Sequence, residues 1–450
     1  MIEKEKVIFR NLRVYRFLFN WAKLHHRLYY RKFTISGKEN IPKNVPVIFA
    51  PNHQNALMDA LAVLFSANRT VAFLARADIF KKPFVARLLN LIRMLPVYRI
   101  RDGFESLDMN KEIFEKTIQV LKSNTSLCVL PEGNHEGCKR LRSLKKGIFR
   151  IAFQAEESNS FHLNLHIVPV GIDYSNYFNA GSDLLVVFGK PIRIADYAVE
   201  YHDNPQKTIN SLRTLLGECM KNIMIHIPED HYATISQVSA MFEPFVWNVH
   251  KLKRHPYNKL IIKQYIVQKC LEALKQDSNV FYQLDPLLAS YNVNLKKLGI
   301  RDWLLVRKTP GFLHVSLDCL LSLLLLPLHI YGTITNYLPY KVPALIAKKI
   351  KDPHFKSSIQ FGSSMILFPL YYLIIILIFG FSVKWHILTL VFSISLPLSG
   401  MFAFYNYLHM LKLKGKIKTL YLQMTHNKDF EYLKNARQQI LDIIKPIINH

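Results

Sequence analysis

Acidic residues are scarce in this sequence. Its 450 residues include 32 Asp and Glu against 59 Lys and Arg, which gives a formal net charge of +27. A chain this basic is attracted to polyanions, either nucleic acids or anionic membrane surfaces. Because 50% of the residues are hydrophobic, the composition excludes a disordered basic protein. A chain that is both basic and apolar favours the membrane surface.

Cysteine is also scarce. The five cysteines show no spacing typical of a disulfide framework or a metal site: Cys128, Cys138, Cys219, Cys270 and Cys319. This excludes a small secreted domain stabilised by disulfides. We expect free thiols in a reducing compartment.

We expect no signal peptide, since the N-terminus has no continuous apolar core and no small-residue cleavage site. Residues 8–30 read IFRNLRVYRFLFNWAKLHHRLYY and interleave basic residues with large apolar ones. Arg10, Arg13 and Arg16 fall near one face of a helix. We therefore predict that residues 1–34 form an amphipathic helix in the interface of an anionic membrane. The alternative is a soluble basic helix packed on its own domain.

Two long uncharged runs, residues 361–381 and 387–408, lie in the C-terminal part of the chain. As a helix the first run would extend about 31 Å, enough to cross a bilayer core. A short link containing Lys384 separates the runs. The pattern predicts a transmembrane hairpin, and the alternative for either run is a buried helix of a soluble domain.

A third apolar run, residues 311–338, carries Asp318 and has Pro327 in its middle. Basic segments precede this run, separate it from the hairpin and follow the hairpin. The positive-inside rule places all three basic segments on the cytoplasmic side, which three full crossings cannot satisfy. We predict that the third run is re-entrant or interfacial and bent at Pro327. The chain is then an integral membrane protein with its remaining domain on the cytoplasmic face.

Short apolar segments alternate with helical patterns between residues 45 and 200. Strands are expected at 45–50, 71–75, 95–100, 126–130, 166–172 and 184–189, and helices at about 56–67, 82–92, 108–122 and 144–156. This order is typical of an α/β domain built on a mostly buried sheet. The predicted division is this domain at 35–204, a helical linker at 205–308, membrane segments at 309–410 and a basic, cytoplasmic helical tail at 411–450.

His53 lies in the loop after the first predicted strand, and Asp59 lies in the first turns of the following helix. A histidine hydrogen-bonded to a carboxylate is the usual arrangement of a general base. Asn55 is a candidate N-cap of the same helix. The alternative interpretation of His53 and Asp59 is a structural capping pair.

Arg99 and Arg101 lie at the end of another predicted strand. Two guanidinium groups pointing the same way suit bidentate contacts with a phosphate or a carboxylate. The alternative is a surface salt bridge to Asp102.

A third loop begins with Pro131-Glu132-Gly133 and continues into a dense basic cluster. It is typical of an anion site, with Glu132 placed to hold a substrate hydroxyl. The alternative is a basic loop that touches lipid headgroups. Zinc at His135, Cys138 and Cys128 would lack a fourth ligand, and we expect no metal site.

Four elements occur together in a characteristic order and spacing: Asn52-His53 with Asp59, Pro96-Val97-x-Arg99, Pro131-Glu132-Gly133 and Val168-Pro169-Val170. They resemble the four motifs of the glycerolipid acyltransferases, which acylate glycerol-3-phosphate, 1-acylglycerol-3-phosphate and related acceptors. The resemblance covers about residues 35–200. It is greatest to the membrane-bound type with C-terminal transmembrane segments.

The resemblance implies an α/β acyltransferase domain with a central mixed sheet flanked by helices, followed by C-terminal transmembrane helices. It implies a step of phospholipid biosynthesis in which an acyl thioester, either acyl-CoA or acyl carrier protein, donates its acyl group directly. Because a thioester is already activated, no cofactor and no nucleophilic side chain are expected. The expected partners are this donor and anionic membrane lipids, and not nucleic acid.

Residue roles follow from the same resemblance. His53 would take the proton from the acceptor hydroxyl, and Asp59 would orient His53. Arg99 would contact the acceptor phosphate, while Glu132 and Gly133 would position the glycerol moiety. The further substrate-binding candidates share a position at a strand end: Arg101, His135, Lys139, Arg140 and Arg142.

The sequence departs from the family pattern in three places. Five residues, 54–58, separate His53 from Asp59, where most members have four, and this spacing resembles the fungal-type glycerol-3-phosphate acyltransferases. Arg93 or Met94 stands where the second motif usually begins with Gly. His135 replaces the usual Arg of the third motif, and we expect the following basic residues to supply the lost charge.

Two other classes of function remain as alternatives. A non-catalytic lipid-binding membrane protein could retain the acyltransferase fold, and it would bind its ligand without turnover. A nucleic-acid binder would cluster its basic residues on a soluble face with stacking aromatics, whereas the basic clusters of this chain flank apolar runs.

Overall fold

The fold is taken from a computed structural model that describes residues 13–81, 83–97, 105–250, 253, 255–277, 279–306 and 311–449. The chain divides into two units. The first contains residues 1–226 together with Ile350–Phe361, and the second contains Ile227–Lys349 and Gly362–His450. Each unit is described by itself below.

The first unit is built on a mixed sheet. The strands that the structure describes are β1 (Lys32–Ser36), β2 (Val47–Pro51), β3 (Val71–Arg76), β4 (Met94–Val97), β5 (Ser126–Cys128), β6 (His166–Tyr174), β7 (Asp183–Phe188) and β8 (Ile192–Arg193). Their order is β1-β7-β6-β2-β5-β3-β4, with β8 also paired to β6. All six predicted strands are present, and β1 and β8 are additional.

Strand direction explains where the loops of interest meet. Strand β2 pairs in parallel with β5 on one side and with β6 on the other, and β3 is parallel to both β5 and β4. Strands β7 and β8 pair antiparallel with β6, and β1, which pairs in parallel with β7, runs in the same direction as β7. The residues after β2 and β5 therefore emerge at the same edge of the sheet, where sites of α/β proteins usually lie.

Helices flank this sheet. In chain order the first unit contains α1 (Arg13–Tyr29), α2 (Ala56–Ser66), α3 (Pro83–Leu91), α4 (Glu105–Lys122), α5 (Gly147–Glu157), α6 (Ala198–Asp203) and α7 (Pro205–Lys221). The prediction ended this domain at residue 204. Leu212, Leu216 and Met220 of α7 are buried in the same core as the sheet residues Ile48 and Leu127, so α7 belongs to the α/β unit and not to a linker.

Helix α1 presents two different faces. His26 and Tyr29 are buried, and Phe19 packs on Phe65 of α2 with ring centroids 5.5 Å apart. Another face exposes Phe17, which is 71% accessible, and Leu24. The helix is thus packed on its own domain, as one alternative expected, and it also exposes the apolar side chains that an interfacial helix requires. Residues 1–12 of the predicted helix lie outside the described residues.

The second unit is helical in its described part. It contains α8 (Tyr232–His250), α9 (Pro256–Gln276), α10 (Asn279–Leu298), α11 (Trp303–Val306), α12 (Phe312–Leu324), α13 (Leu326–Lys348), the main part of α14 (Lys356–Val383), α15 (His386–Met424) and α16 (Lys428–Asn449). Two segments, Pro353–Val383 and His386–Met424, are long and apolar enough to cross a membrane. They correspond to the predicted hairpin.

The third apolar run forms the bent pair α12 and α13. The two helices meet at an angle of 53°, and Pro327 stands in the first turn of α13. Proline is favoured at the start of a helix because its missing N–H needs no partner there. The bend predicted at Pro327 is present, and the re-entrant placement of this run stays a prediction.

The short segment Ile350–Phe361 belongs to the first unit, although the prediction placed it among the membrane segments. It contains the 3₁₀ turn Pro353–Phe355 and the first residues of α14. The ring of Phe361 lies 5.0 Å from that of His25 and 5.6 Å from that of Tyr29. Burial of this aromatic side chain holds the segment on the α/β unit.

Candidate active site

Asn52 anchors the loop that carries His53. Its side-chain amide donates to the carbonyl oxygen of Ile172 at 3.0 Å and accepts from the Ile172 N–H at 2.6 Å. The fully buried amide thus continues the pairing of β2 with β6 beyond the end of β2. His53 is consequently held at the edge of the sheet by its immediate neighbour. The prediction named Asn52 in a motif but assigned it no such role.

His53 and Asp59 are in direct contact. The Nδ1 atom of His53 lies 2.9 Å from Oδ2 of Asp59. Ala56, at the start of α2, has a φ of 42°, in the left-handed region that non-glycine residues seldom adopt. The chain turns there between the loop and the helix, and the two side chains meet despite the interval of five residues. Since Nδ1 faces the carboxylate, Nε2 is the nitrogen that can accept a proton.

Both carboxylate oxygens of Asp59 accept hydrogen bonds. It is completely buried, and its Oδ2 also accepts the N–H groups of Gln54 and Asn55, both at 2.7 Å. Its Oδ1 accepts from the hydroxyl of Tyr174 at 2.8 Å. Such donors stabilise a buried carboxylate as the charged form. The side chain of Asn55 does not cap α2.

Tyr174, at the end of β6, was not predicted as a site residue. Burial raises the pKa of its hydroxyl well above the ordinary value, and the charge of Asp59 adds to this. The hydroxyl therefore remains a donor to Asp59. Nothing in the local sequence signals this contact, because Tyr174 and Asp59 are 115 positions apart.

Glu132 connects the first loop to the third. Its Oε1 accepts the N–H of His53 at 2.7 Å, and its Oε2 accepts the N–H and Nε of Arg142 at 3.0 and 3.2 Å. Burial raises the pKa of this carboxyl, while the three hydrogen bonds oppose the shift. Gly133 follows with a φ of 69°, a turn that suits glycine. Glu132 thus holds the backbone of His53 in place.

Three basic side chains of the third loop are paired with carboxylates. Lys139 contacts Asp173 at 2.5 Å, and Arg140 contacts Glu136 at 3.1 Å. Arg142 contacts Glu132, and its buried Nη2 has no hydrogen-bond partner among the described residues. Lys139 and Arg140 were predicted to bind substrate; in this structure their charges are balanced within the protein.

His135 lies beside the catalytic candidate His53. The two ring centroids are 5.2 Å apart in an edge-to-face arrangement. Burial lowers the pKa of His135, and His53 lowers it further, whereas the hydrogen bond to Asp352 acts to raise it. The structure therefore brings together His53, Asp59, Glu132 and His135. Arg99 and Arg101 lie outside the described residues.

Cys128 offers no nucleophile to this site. Cys128, at the end of β5, is completely buried, and burial, together with the charge of Asp59, raises the pKa of its thiol far above the ordinary value. A buried thiol of this kind is unreactive. The arrangement suits direct attack by an acceptor hydroxyl, assisted by a base.

Comparisons with known proteins agree with the motifs. The family model described as Acyltransferase matches residues 32–173. A chloroplastic 1-acyl-sn-glycerol-3-phosphate acyltransferase of Arabidopsis thaliana is 30% identical over 133 residues, which cover 29% of this chain and 35% of the relative.

Two relatives from Saccharomyces cerevisiae match longer stretches. Glycerol-3-phosphate O-acyltransferase 1 is 23% identical over 208 residues, 44% of this chain and 26% of the relative. Glycerol-3-phosphate O-acyltransferase 2 is 21% identical over 271 residues, 60% of this chain and 35% of the relative. The chain thus spans about a third, or less, of the length of these relatives.

The matched region contains β1 to β5, all of β6 except its last residue, and the site residues His53, Asp59 and Glu132. Tyr174, the last residue of β6, directly follows the matched region. The resemblance drawn from the four motifs is confirmed by the family model and by the names of the relatives. The similarity to the acyltransferase family thus extends over residues 32–173 of this chain.

Proposed function

We propose that this protein transfers a fatty acyl group from an acyl thioester to a hydroxyl group of glycerol-3-phosphate or 1-acylglycerol-3-phosphate. The observation that carries the proposal is the His53 ring held at Nδ1 by the buried carboxylate of Asp59. The relatives named as acyltransferases of these two acceptors support the choice of substrate class.

His53 is the general base in the proposed reaction. Its Nε2 accepts the proton of the acceptor hydroxyl while the hydroxyl oxygen attacks the thioester carbonyl. The carbon–sulfur bond then breaks, the acyl ester remains on the acceptor, and the thiol leaves with a proton returned from His53. Asp59 stabilises the imidazolium that forms, and a positioned base of this kind contributes roughly 10²- to 10⁴-fold to the rate.

The membrane segments suit lipid substrates. Two helices of the second unit are long and apolar enough to cross a bilayer, and several of their large apolar side chains are exposed, such as Ile366, Phe381 and Leu398. Exposed apolar surface on that scale requires a lipid environment. The acyl chains of donor and product partition into the same phase. We propose that the acyltransferase domain lies on the cytoplasmic face, where the thioester donors are found.

A His53→Ala variant of the full-length protein, purified in detergent micelles, tests the proposal. Transfer of a radiolabelled acyl group is measured with both acceptors and with acyl-CoA and acyl carrier protein as donors. We expect the wild-type protein to acylate at least one acceptor and the variant to lose at least a hundredfold in kcat. His162→Ala, at an exposed histidine of the same unit, is the matched control and should keep wild-type activity.

Turnover that survives in the His53→Ala variant would refute the role of His53. A wild-type protein that binds acceptor in micelles but never acylates it would instead favour the non-catalytic lipid-binding alternative.

A further inference from the structure

The segment formed by residues 352–357, just before and at the start of α14, contacts both loops of the candidate active site. It is 217 positions from His135 and 302 positions from Asn55, yet it belongs to the same unit as both loops. Asp352 and Phe355 touch His135 of the third loop. Ser357 touches Asn55 of the first loop. We call residues 352–357 the return segment.

The contact of Asp352 with His135 is a second histidine–aspartate pair. Oδ2 of Asp352 lies 3.2 Å from Nε2 of His135. The other carboxylate oxygen of Asp352 accepts the N–H of His354 at 2.9 Å. Burial acts to raise the pKa of Asp352, but these two hydrogen bonds lower it overall. An ionised Asp352 therefore accepts the Nε2–H of His135, and Nδ1 is the nitrogen left for a ligand. Nδ1 accepts in the neutral ring and donates only when the ring is protonated.

Aromatic packing fixes the orientation of the His135 ring. Phe355 lies edge-to-face on it with centroids 4.9 Å apart, and His354 lies 5.5 Å away on the same ring. His354 in turn packs against Gly137, where an added Cβ would come within 2.9 Å of the imidazole. A larger residue at 137 would push the segment away. Such packing restricts the ring to one position next to His53.

Ser357 ties the return segment to the loop of the general base. Its hydroxyl donates to Oδ1 of Asn55 at 2.5 Å, and the backbone N–H of Asn55 is one of the donors to Asp59. The side chains of Ser357 and Asn55 are both buried. The return segment thus contacts both the loop that carries His53 and the loop that carries His135.

The ion pairing of the neighbouring basic side chains and the position of His135 beside His53 indicate what the His135–Asp352 pair can bind. Lys139, Arg140 and Arg142 are each paired with a carboxylate of the same unit. His135 lies next to His53, where the acceptor hydroxyl must come in the proposed reaction. Burial favours the neutral ring of His135, and the carboxylate of Asp352 opposes this. The negative charge of a bound phosphate adds to the effect of Asp352 and favours the doubly protonated ring, whose second N–H then binds an anionic oxygen.

We propose that the return segment forms the acceptor side of the active site, and that Asp352 is a positioning residue that holds His135 for contact with the phosphate of a glycerol phosphate acceptor. This inference rests on the proposed acyl transfer. It adds to the site a carboxylate that lies outside the acyltransferase-family match at residues 32–173. The phosphate is bound and released without any covalent change at His135 or Asp352.

The test is an Asp352→Asn variant of the full-length protein in detergent micelles. The amide keeps the shape of the side chain and removes its charge. We expect the KM of the phosphate-bearing acceptor to rise about tenfold, as for loss of a charge-assisted contact, with kcat and the donor KM changed less than threefold. Asp196→Asn removes another ion-paired carboxylate of the same unit, whose partner is Arg193, and should leave all three constants unchanged.

A double-mutant cycle shows whether Asp352 acts through His135. Once His135 is replaced by Gln, Asp352→Asn should raise the acceptor KM no further. An equal additional rise would overturn the positioning role, as would an unchanged acceptor KM in the single variant or a rise shared by the donor KM. If Asp352→Asn fails to fold, Ser357→Ala probes the segment from its other contact and should lower kcat/KM for the acceptor at least threefold; no change would overturn the proposal.

The two proposals fail in distinguishable ways. Activity that survives in His53→Ala would refute the proposed chemistry whatever Asp352 does. Activity that depends on His53 but is indifferent to Asp352, His135 and Ser357 would refute only the role of the return segment.

Discussion

Two histidine–aspartate pairs lie side by side in the first unit, and they are built differently. His53 and Asp59 are six positions apart in the sequence and 2.9 Å apart in space, with Asp59 completely buried. His135 and Asp352 are 217 positions apart and 3.2 Å apart, and the side chain of Asp352 is 44% exposed. The rings of the two histidines are in edge-to-face contact.

The environment of each carboxylate sets what its pair can do. Asp59 accepts four hydrogen bonds, from His53, two backbone N–H groups and Tyr174. These bonds fix the position of the carboxylate and stabilise its negative charge. The side chain of Asp352 is partly exposed to solvent, and an exposed ion pair such as His135–Asp352 contributes little to the stability of the fold. The first pair is therefore suited to withstand the charge changes of a proton transfer, and the second to orient a ring that meets a ligand.

The largest expected effect sharpens this contrast. Asp59→Asn should lower kcat roughly 10³- to 10⁴-fold, because an amide cannot stabilise the imidazolium and favours the wrong tautomer of His53. Acyl transfer at saturating acceptor is the measurement, and Asp196→Asn is the control for the same chemical change at an exposed position. A loss smaller than tenfold would mean that the buried pair is no more important than the exposed one.

A smaller effect is expected from Tyr174→Phe, which removes one of the four donors to Asp59 and keeps the ring. A hydrogen bond to a charged group contributes about 1.5–3 kcal/mol, so we expect kcat to fall about tenfold or somewhat more. Tyr197→Phe, at a partly exposed tyrosine of the same unit, is the matched control. If Tyr174→Phe and Tyr197→Phe change kcat equally, the hydrogen bond from Tyr174 to Asp59 contributes nothing specific to the rate.

A third histidine extends the comparison, because it is buried without a carboxylate. His26 is completely buried, and neither ring nitrogen has a hydrogen-bond partner among the described residues. The rings of Tyr30, Phe33, Phe65 and Phe361 surround it. Burial, followed by the proximity of His25, lowers its pKa from 6.5 to about 3. His26 is therefore neutral in the folded state at ordinary pH.

The sign of the pH effect follows from this shift. Below pH 6.5 the unfolded chain binds a proton at His26 that the folded chain rejects, so stability is lost as the pH falls toward 3. His26→Phe removes this loss. We expect the variant to lose roughly 1 kcal/mol less than wild type between pH 7 and pH 5.5.

Thermal unfolding in detergent, followed by intrinsic fluorescence at the two pH values, measures this effect. His162→Phe, at an exposed histidine, should keep the wild-type pH dependence. An unchanged pH dependence in His26→Phe would show that His26 binds a proton in the folded state as readily as in the unfolded chain.

Much of the first unit was predictable because its signals are local. Continuous apolar runs bounded by turns predicted β2, β3, β5 and β6, since strands buried on both faces need no alternation. The motif around His53 and Asp59 lies within ten residues, so its contact followed from sequence spacing. Strand β1 was missed because KFTIS is short and partly polar, and only its pairing with β7 makes it a strand.

Arg93 shows how a departure from the family pattern is accommodated. It stands where the second motif usually begins with Gly, and its φ is 64°, in the region that glycine adopts without strain. The guanidinium lies over the ring of Tyr15, 4.5 Å from its centroid. Such an interaction contributes about 0.5–2 kcal/mol, which is comparable to the strain of a left-handed residue, about 1–2 kcal/mol. The sequence showed the departure, but not what compensates for it.

The sequence by itself determined the strand pattern, the acyltransferase motifs and the apolar segments, because each depends on neighbouring residues. Only the tertiary structure decided that Tyr174 donates to Asp59, that α7 completes the core, and that residues 352–357 return to Asn55 and His135. These contacts join positions that are distant in the sequence, and no local periodicity records them. The same basic residues that the composition emphasised are, in the third loop, balanced by carboxylates, and this too depends on which chain segments meet.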